Sequence, residues 1–306
     1  MTLAPPDVSP DDLDHWCRRW LSAGVAEPLF TAGHLSRVYG LRLTDGREVV
    51  VKVRTDQPRL AGCADVQAAL WAARLPCPRP LVGPVPLGAY AAGAETHLPG
   101  GDLLGPVDGA AERYAELLAR FVALAPTPEA VRPLAPNPPW TAWGREPSGG
   151  LWPRPDDRAA DLNAHPGPAW LDEVGDRVVR RLREATGPEV VGHSDWEAQN
   201  LRWHGDRPVV HDWDSAACAP EAVLVGMAAS VWPCGAVPRA ATVAESWAFL
   251  TAYQQAAGRR FSAAEVEVSW AAGLWVYAFN TKKASLDGHP WLDPEEAAER
   301  LALAGA

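Results

Sequence analysis

Five cysteines are scattered through 306 residues (Cys17, Cys63, Cys77, Cys218 and Cys234), with no CxxC pair and no histidine at zinc-ligand spacing. That distribution suggests neither a disulfide framework nor a zinc site, and the thiols read as reduced and structural. Long apolar runs are missing too: no stretch approaches the roughly 18 residues of a membrane span. The first 25 residues are acidic and proline-rich, unlike the basic and apolar start of a signal peptide, so the expected location is cytoplasmic. Positive charge is in deficit, with 28 Lys and Arg against 38 Asp and Glu and a net charge of -10. A nucleic-acid binder needs a basic face to neutralise phosphates, so that class is disfavoured, and a neutral or cationic partner is favoured. No internal repeat is present.

What is present is an ordinary globular balance, 47% hydrophobic and 22% charged, long enough for one large domain or two lobes. The 15 tryptophans serve chiefly as core or cleft lining, and the 30 prolines punctuate loops. An opening helix is expected over Asp11 to Gly24, with Leu13, Trp16, Trp20 and Leu21 on one face. Two β-rich runs, Ser36 to Leu43 and Glu48 to Arg54, flank Thr44-Asp45-Gly46-Arg47, a hairpin signal because glycine supplies the positive φ of a tight turn. A turn containing Gly33 precedes them. Residues 57 to 75 are helical in pattern and end at Pro76-Cys77-Pro78-Arg79-Pro80. Short β-like runs at Leu81 to Tyr90 and Glu95 to Leu98 lead to Pro99-Gly100-Gly101, where the lobe boundary is expected, giving units of 1–98 and 99–306.

Beyond the boundary, Gly109 to Leu124 is strongly amphipathic, and 126 to 155 turns to Pro, Gly and Trp, the composition of an ordered loop over the second lobe. Trp170 to Thr186 is helical. The stretches VVGHSDWEAQN (191–201) and PVVHDWDS (208–215) are short β-like runs joined at Gly205-Asp206, and helices are expected at about 222–232, 240–257, 263–285 and 294–304. The order is a β-rich lobe followed by a mainly helical one.

Chemistry concentrates in those two β-like stretches. Asp195 and Asn200 are five apart on a loop, and Asp212 follows the apolar pair Val209-Val210. Asn200 and Asp212 can offer oxygens to a hard cation while Asp195 stays free to accept a proton from a hydroxyl. Phosphoryl transfer needs that division, together with a cation on the phosphate side, which Lys52 in VVVKV can supply.

The pattern HSDWEAQN followed by VVHDWDS resembles the H-G-D-x-x-x-x-N and I-D-x-x-D segments of aminoglycoside phosphotransferase-like and choline kinase-like small-molecule kinases, relatives of the protein kinases. Lys52 resembles the strand lysine of that fold, and ETHLPGG at 95–101 its hinge, in matching order over nearly the whole chain. The resemblance implies an α+β, bilobal protein-kinase-like fold with Mg2+ and ATP or GTP as phosphoryl donor. It implies Asp195 as catalytic base, Asn200 and Asp212 as magnesium ligands, and Lys52 on the α/β-phosphates. The turn around Gly33 would cover the phosphates, and Glu95, Thr96, His97 and Leu98 would offer backbone groups to the purine. The acceptor would be a small-molecule hydroxyl, on a cationic antibiotic or natural product among others.

Three departures from the family pattern stand out. Ser194 occupies a place where glycine or asparagine is usual. The helix after Lys52, LAGCADVQAALWAARL, lacks the glutamate that pairs with the lysine and offers only Asp65 or Gln67, of which Asp65 would keep the charge pair. The phosphate loop TAGHLSRVYG has no multiple-glycine signature. A catalytically weak, nucleotide-binding pseudokinase or scaffold is therefore the alternative. A protein kinase is disfavoured, because no Phe-Gly follows Asp212 and the APE at 219–221 comes too soon for an activation segment.

Bland roles stand beside the chemical ones. His193 reads as a structural group bonding backbone, His211 as a buried side chain, and Lys52 alone could be a strand-edge lysine. Trp196 and Trp213 can line the pocket or fill the core. Glu197 and Asp214 can pair with an acceptor's ammonium groups or be solvated loop charges. Asn280, Lys282 and Lys283 can border the acceptor site, with a solvated helical face as the safer reading.

Overall fold

The computed structural model describes residues 4–105, 107–143, 150–236, 239–287 and 292–306. Ser9 caps the first helix, α1 (Pro10–Leu21), by accepting a 3.1 Å bond from the Asp12 amide, and Leu13, Trp16, Cys17 and Leu21 form its buried face. Trp20, expected on that face, is exposed. Five strands follow in an antiparallel sheet of order β1-β2-β3-β5-β4: β1 (Val25–Ala32), β2 (Arg37–Leu43), β3 (Glu48–Thr55), β4 (Pro80–Leu87) and β5 (Tyr90–Thr96). The Asp45-Gly46 turn joins β2 and β3 as expected, with Gly46 at φ 86° and its amide bonded to Leu43 O at 2.9 Å.

Two strands depart from expectation. β1 was not foreseen: it is an edge strand exposed at most positions, so its residues carry no alternation, and Pro28 is tolerated because an edge needs no donor on its open side. β5 begins at Tyr90 rather than Glu95, because Ala91-Ala92-Gly93-Ala94 has small residues and little β signal, yet is held by registered pairing on both sides.

The alternation of β3 positions the site. Val49, Val51 and Val53 are all but fully buried against the α1 side, so Val50, Lys52 and Arg54 face the other way. The next helix, α2 (Leu60–Ala72), lies between β3 and β4 in sequence.

Helices α3 (Ala110–Leu124) and α4 (Ala169–Arg183) open the second half. Two short ribbons follow, one pairing β6 (Glu189–His193) with β9 (Ala216–Pro220), the other pairing β7 (Leu201–His204) with β8 (Arg207–Val210). Then come α5 (Glu221–Val231), α6 (Val243–Ala256), α7 (Ala263–Ala284) and α8 (Pro294–Leu303). Capping boxes at Thr242/Glu245 and Ser262/Glu265 start α6 and α7. In the proline-rich segment, Leu134, Trp143 and Trp152 are buried in the core as an ordered loop requires; its residues 144–149 lie outside the described ones.

Buried apolar residues separate into two clusters. The smaller joins α1 to the sheet, from Leu13 to Ala94; the larger gathers the helices and ribbons. Cys63, Val66 and Leu70 of α2 belong to the larger cluster, although α2 precedes the expected break at 98/99. Among the described residues no helix is long and apolar enough to cross a membrane.

Candidate active site

A cavity of about 540 Å³ opens between the sheet and the ribbons, walled by Gly33, Val50 and Lys52 on one side and Asn200, Asp212 and Asp214 on the other. The ribbons create the second wall. Pairing of β6 with β9 brings His193 opposite Ala216, so Asp195, just past β6, meets the turn holding Asp212 between β8 and β9. Asp212 sits at φ 62°, ψ 56°, a left-handed conformation uncommon for a side-chain-bearing residue but accessible to Asp.

Lys52 reaches across the gap, its Nζ bonded to Asp212 Oδ1 and, at 2.6 Å, to Asp214 Oδ1. Arg54 shares the strand face and pairs with Asp214 Oδ2. Arg59, buried just ahead of α2, donates to the carbonyls of Asp214, Ala216 and Leu134. Burial alone would raise the Asp212 carboxyl, but Lys52 and Arg54 overcome it and hold the group well below the usual carboxylate range. Burial pulls the Lys52 ammonium down, opposed by Asp212. Neither Arg54 nor Arg59 belongs to the motifs that mark the site in the sequence. The period-2 alternation of VVVKVR already places Arg54 beside Lys52 and could have shown it; nothing local marks Arg59.

Asn200 Nδ2 donates to both the carbonyl and Oδ2 of Asp195, each at 2.9 Å. Burial first, then repulsion from Asp212, pushes the Asp195 carboxyl up to about 6, with the Asn200 bond opposing. His193 is buried, its Nε2 3.0 Å from the His211 carbonyl and its Nδ1 accepting the Asp195 amide at 3.3 Å. Both ring nitrogens are spent on backbone, which makes the histidine a brace for the loop. His211 is half-buried at the cavity wall, and burial lowers its imidazole to about 4. Trp196 is fully buried and donates to Tyr114 O, whereas Trp213 stacks on Phe121 and also meets the cavity.

With its amide nitrogen committed to Asp195, Asn200 keeps its carbonyl oxygen for another partner, and Asp212 supplies carboxylate oxygens. Two hard oxygens suit Mg2+, which keeps waters and phosphate oxygens in its remaining positions. Among the described residues no cluster of three or more His, Cys, Asp or Glu could hold a metal by itself. The donor set therefore fits a cation that arrives with phosphates.

Neither expected helix partner meets Lys52. Asp65 is bound by Arg132 at 2.7 and 2.8 Å, and Gln67 donates to Glu95 Oε2 at 2.6 Å and to Pro78 O at 3.3 Å. Glu95 and Thr96 end β5, and the amides of Thr96 and His97 are already bonded to Arg79 O and Glu48 O. The Leu98 amide has no backbone acceptor among the described residues. Glu95 faces the cavity beside Lys52, and burial raises its carboxyl to about 7 against the Gln67 bond and the lysine.

Gly33 sits at φ 108°, where an added Cβ would lie 2.1 Å from Ser36 O, so the turn between β1 and β2 requires glycine. Glu197 is half-buried next to Asp195, and burial followed by that neighbour raises its carboxyl well above the ordinary range. Asp214, weighed as an acceptor contact, is instead held inside by Lys52 and Arg54. Lys282 is not on a solvated face: at 1% side-chain exposure it pairs with Asp172 at 2.8 Å, while Lys283 pairs with Asp157 at 3.2 Å.

The model of a family described as the phosphotransferase enzyme family, APH, matches residues 28–262, and the chain belongs to that family. The fold is the bilobal protein-kinase-like α+β fold of its structural neighbours. An amicoumacin kinase solved with AMP-PNP and Ca2+ superposes at TM-score 0.59 with 12% identity, over 91% of this chain and 86% of that one. A spectinomycin phosphotransferase solved with ADP and spectinomycin gives 0.58 and 11%, over 98% and 94%. A choline/ethanolamine kinase family protein from Mesorhizobium loti gives 0.55 and 14%, over 96% and 94%. No curated protein sequence matches the chain.

Proposed function

We propose that the protein transfers the γ-phosphoryl group of Mg-bound ATP or GTP to a hydroxyl of a small molecule. The observation that carries this reading is the meeting of Lys52, from the sheet, with Asp212, separated in sequence from the Asp195–Asn200 pair by the β7–β8 ribbon and tied back to it by the His211 amide on the Asn200 carbonyl. Asp195 takes the hydroxyl proton as the acceptor oxygen bonds to the γ-phosphorus, and the bond to the β-phosphate oxygen breaks, releasing the nucleoside diphosphate. Asn200 fixes the Asp195 carboxylate through two bonds and, with Asp212, would hold magnesium. Held by these two side chains, magnesium would supply positive charge to offset that of the transferring phosphates. Lys52 restrains the donor's α/β-phosphates, the Gly33 turn covers them, and the segment Glu95, Thr96, His97 and Leu98 borders the purine. Because the Thr96 and His97 amides serve the sheet, the Leu98 amide is the donor left for the base.

The acceptor side carries carboxylates. Glu197 lies against Asp195, and Asp156 is near enough to raise Asp195 as well. A cationic hydroxylated antibiotic or natural product matches that field. The absence of a helix carboxylate on Lys52 favours a second reading, a nucleotide-binding scaffold without chemistry.

Acceptor-dependent release of nucleoside diphosphate over a panel of hydroxylated antibiotics, amino alcohols and sugars separates the two. Asp195→Ala is expected to keep nucleotide affinity and lose turnover by about 10²–10⁴-fold, the usual worth of a positioned acid-base group. Asp212→Ala is expected to weaken metal-nucleotide binding. Wild-type turnover in the Asp195 variant would remove the proposed base, and binding without any residue-dependent turnover would favour the scaffold.

A further inference from the structure

In this chain α2 has no carboxylate for Lys52: Asp65 is turned out to Arg132, and Gln67 is engaged with Glu95. The lysine is held instead from the opposite wall, by Asp212 and Asp214. These two carboxylates are not equivalent. Asp212 is needed at the phosphates, so its oxygens cannot also be the lasting anchor of an ammonium group. Asp214 borders the same cavity but has both carboxylate oxygens engaged, one on Lys52 and the other on Arg54, and its backbone carbonyl is pinned by Arg59. Its side chain is 9% exposed, against 27% for Lys52 and 18% for Arg54, so the anion is the innermost member of the trio. The alternation of β3 places the two cations on one face, two residues apart, and both border the cavity.

We propose that Asp214 is the positioning residue that replaces the helix glutamate, holding Lys52 and Arg54 side by side as a two-cation clamp for the donor's phosphates. Resting on the phosphotransferase reading, this adds Arg54 as a second phosphate contact and gives the missing helix carboxylate a substitute on the other wall. A flexible ammonium group and a planar guanidinium differ in what they do: the first supplies a point charge, the second can bridge two phosphate oxygens at once. A carboxylate shared between them fixes their separation before the nucleotide arrives. Loss of Asp214 would leave two like charges repelling across the strand face.

The test is calorimetric titration of the full-length protein with ATP, with and without magnesium, for wild type, Asp214→Asn, Asp214→Glu, Arg54→Gln and the double variant Asp214→Asn/Arg54→Gln. Circular dichroism and urea unfolding establish that each variant is folded. Asp214→Asn and Arg54→Gln are each expected to weaken nucleotide binding tenfold or more in both conditions. Asp214→Glu should recover part of the loss, and the double variant should be little worse than the weaker single one, because the residues act as a unit. In turnover, the KM for nucleotide should rise more than kcat falls. A folded Asp214→Asn or a folded Arg54→Gln that binds ATP within twofold of wild type overturns the clamp and leaves a merely structural ion pair. Should Asp214→Asn fail to fold, Arg54→Gln decides alone. A wild type that binds no nucleotide would overturn the phosphotransferase reading along with the clamp, whereas unchanged variants beside a binding wild type sink only the clamp.

Discussion

Single residues divide into those that their neighbours in sequence single out and those defined by distant partners. Asp195, Asn200, Asp212 and Lys52 stand out in the sequence by their short motifs and their order along the chain, and the structure brings Lys52 to Asp212 and Asn200 to Asp195. Asp214 was visible too, but its use was not, since a carboxylate beside a motif looks the same whether it faces an acceptor or a buried cation. For Glu95 the motif points to the backbone alone, yet its side chain is the unusual part. Its ordinary ionisation near 4.5 rises to about 7 on burial, so between those pH values the folded protein holds a proton the unfolded chain has lost. Stability from this group is complete below pH 4.5 and drains away as pH climbs toward 7. Glu95→Gln should therefore flatten the stability profile and gain on the order of 1–3 kcal/mol at pH 8, read by urea unfolding across pH. Parallel profiles for variant and wild type would show that the carboxyl is not destabilised.

Elements were readable where one face is apolar at a regular period. α1, α3, α4 and the β2–β3 hairpin stand within a few residues of expectation, because each keeps an apolar face at a regular period. α7, by contrast, is buried all round from Val268 to Phe279 and is marked instead by its length and its capping box. β1 and β5 were missed or shortened, since an exposed edge and a run of small residues carry no such pattern and are held by pairing instead. Helix crossings are equally invisible in a single chain segment. At the crossing of α5 and α7, a Cβ on Gly226 would lie 2.0 Å from the Ser269 carbonyl, so only glycine allows these helices to approach. Gly226→Ala should force them apart and lose about 1–3 kcal/mol. Gly105, with nothing within 4 Å of its would-be Cβ, is the control: Gly105→Ala should stay within about 0.5 kcal/mol. Equal urea midpoints for the two variants would mean that the crossing tolerates the methyl group.

At the scale of the whole molecule, order along the chain was legible and allegiance was not. The sheet precedes the helices as the composition indicates, but α2 packs its Cys63, Val66 and Leu70 into the larger cluster. That choice follows from contacts tens to hundreds of residues away, among them Arg59 with Leu134, Asp214 and Ala216. The two clusters are thus bridged by a helix and by ion pairs across a cavity rather than by one continuous core. A ligand seated in that cavity should couple them: at a hundredfold excess over its Kd, Mg-ATP should add about 2.7 kcal/mol to unfolding stability and raise Tm. No rise in Tm at saturating nucleotide would argue against donor binding at this place. One aromatic ring makes such occupancy visible without a label. Trp213, set between Asp212 and Asp214 and stacked on Phe121, borders the cavity beside the Lys52–Asp212 pair, so a polyanion entering there should perturb its fluorescence emission. Subtracting the spectrum of a Trp213→Phe protein isolates that chromophore from the other indoles, and the cleft reports its own filling.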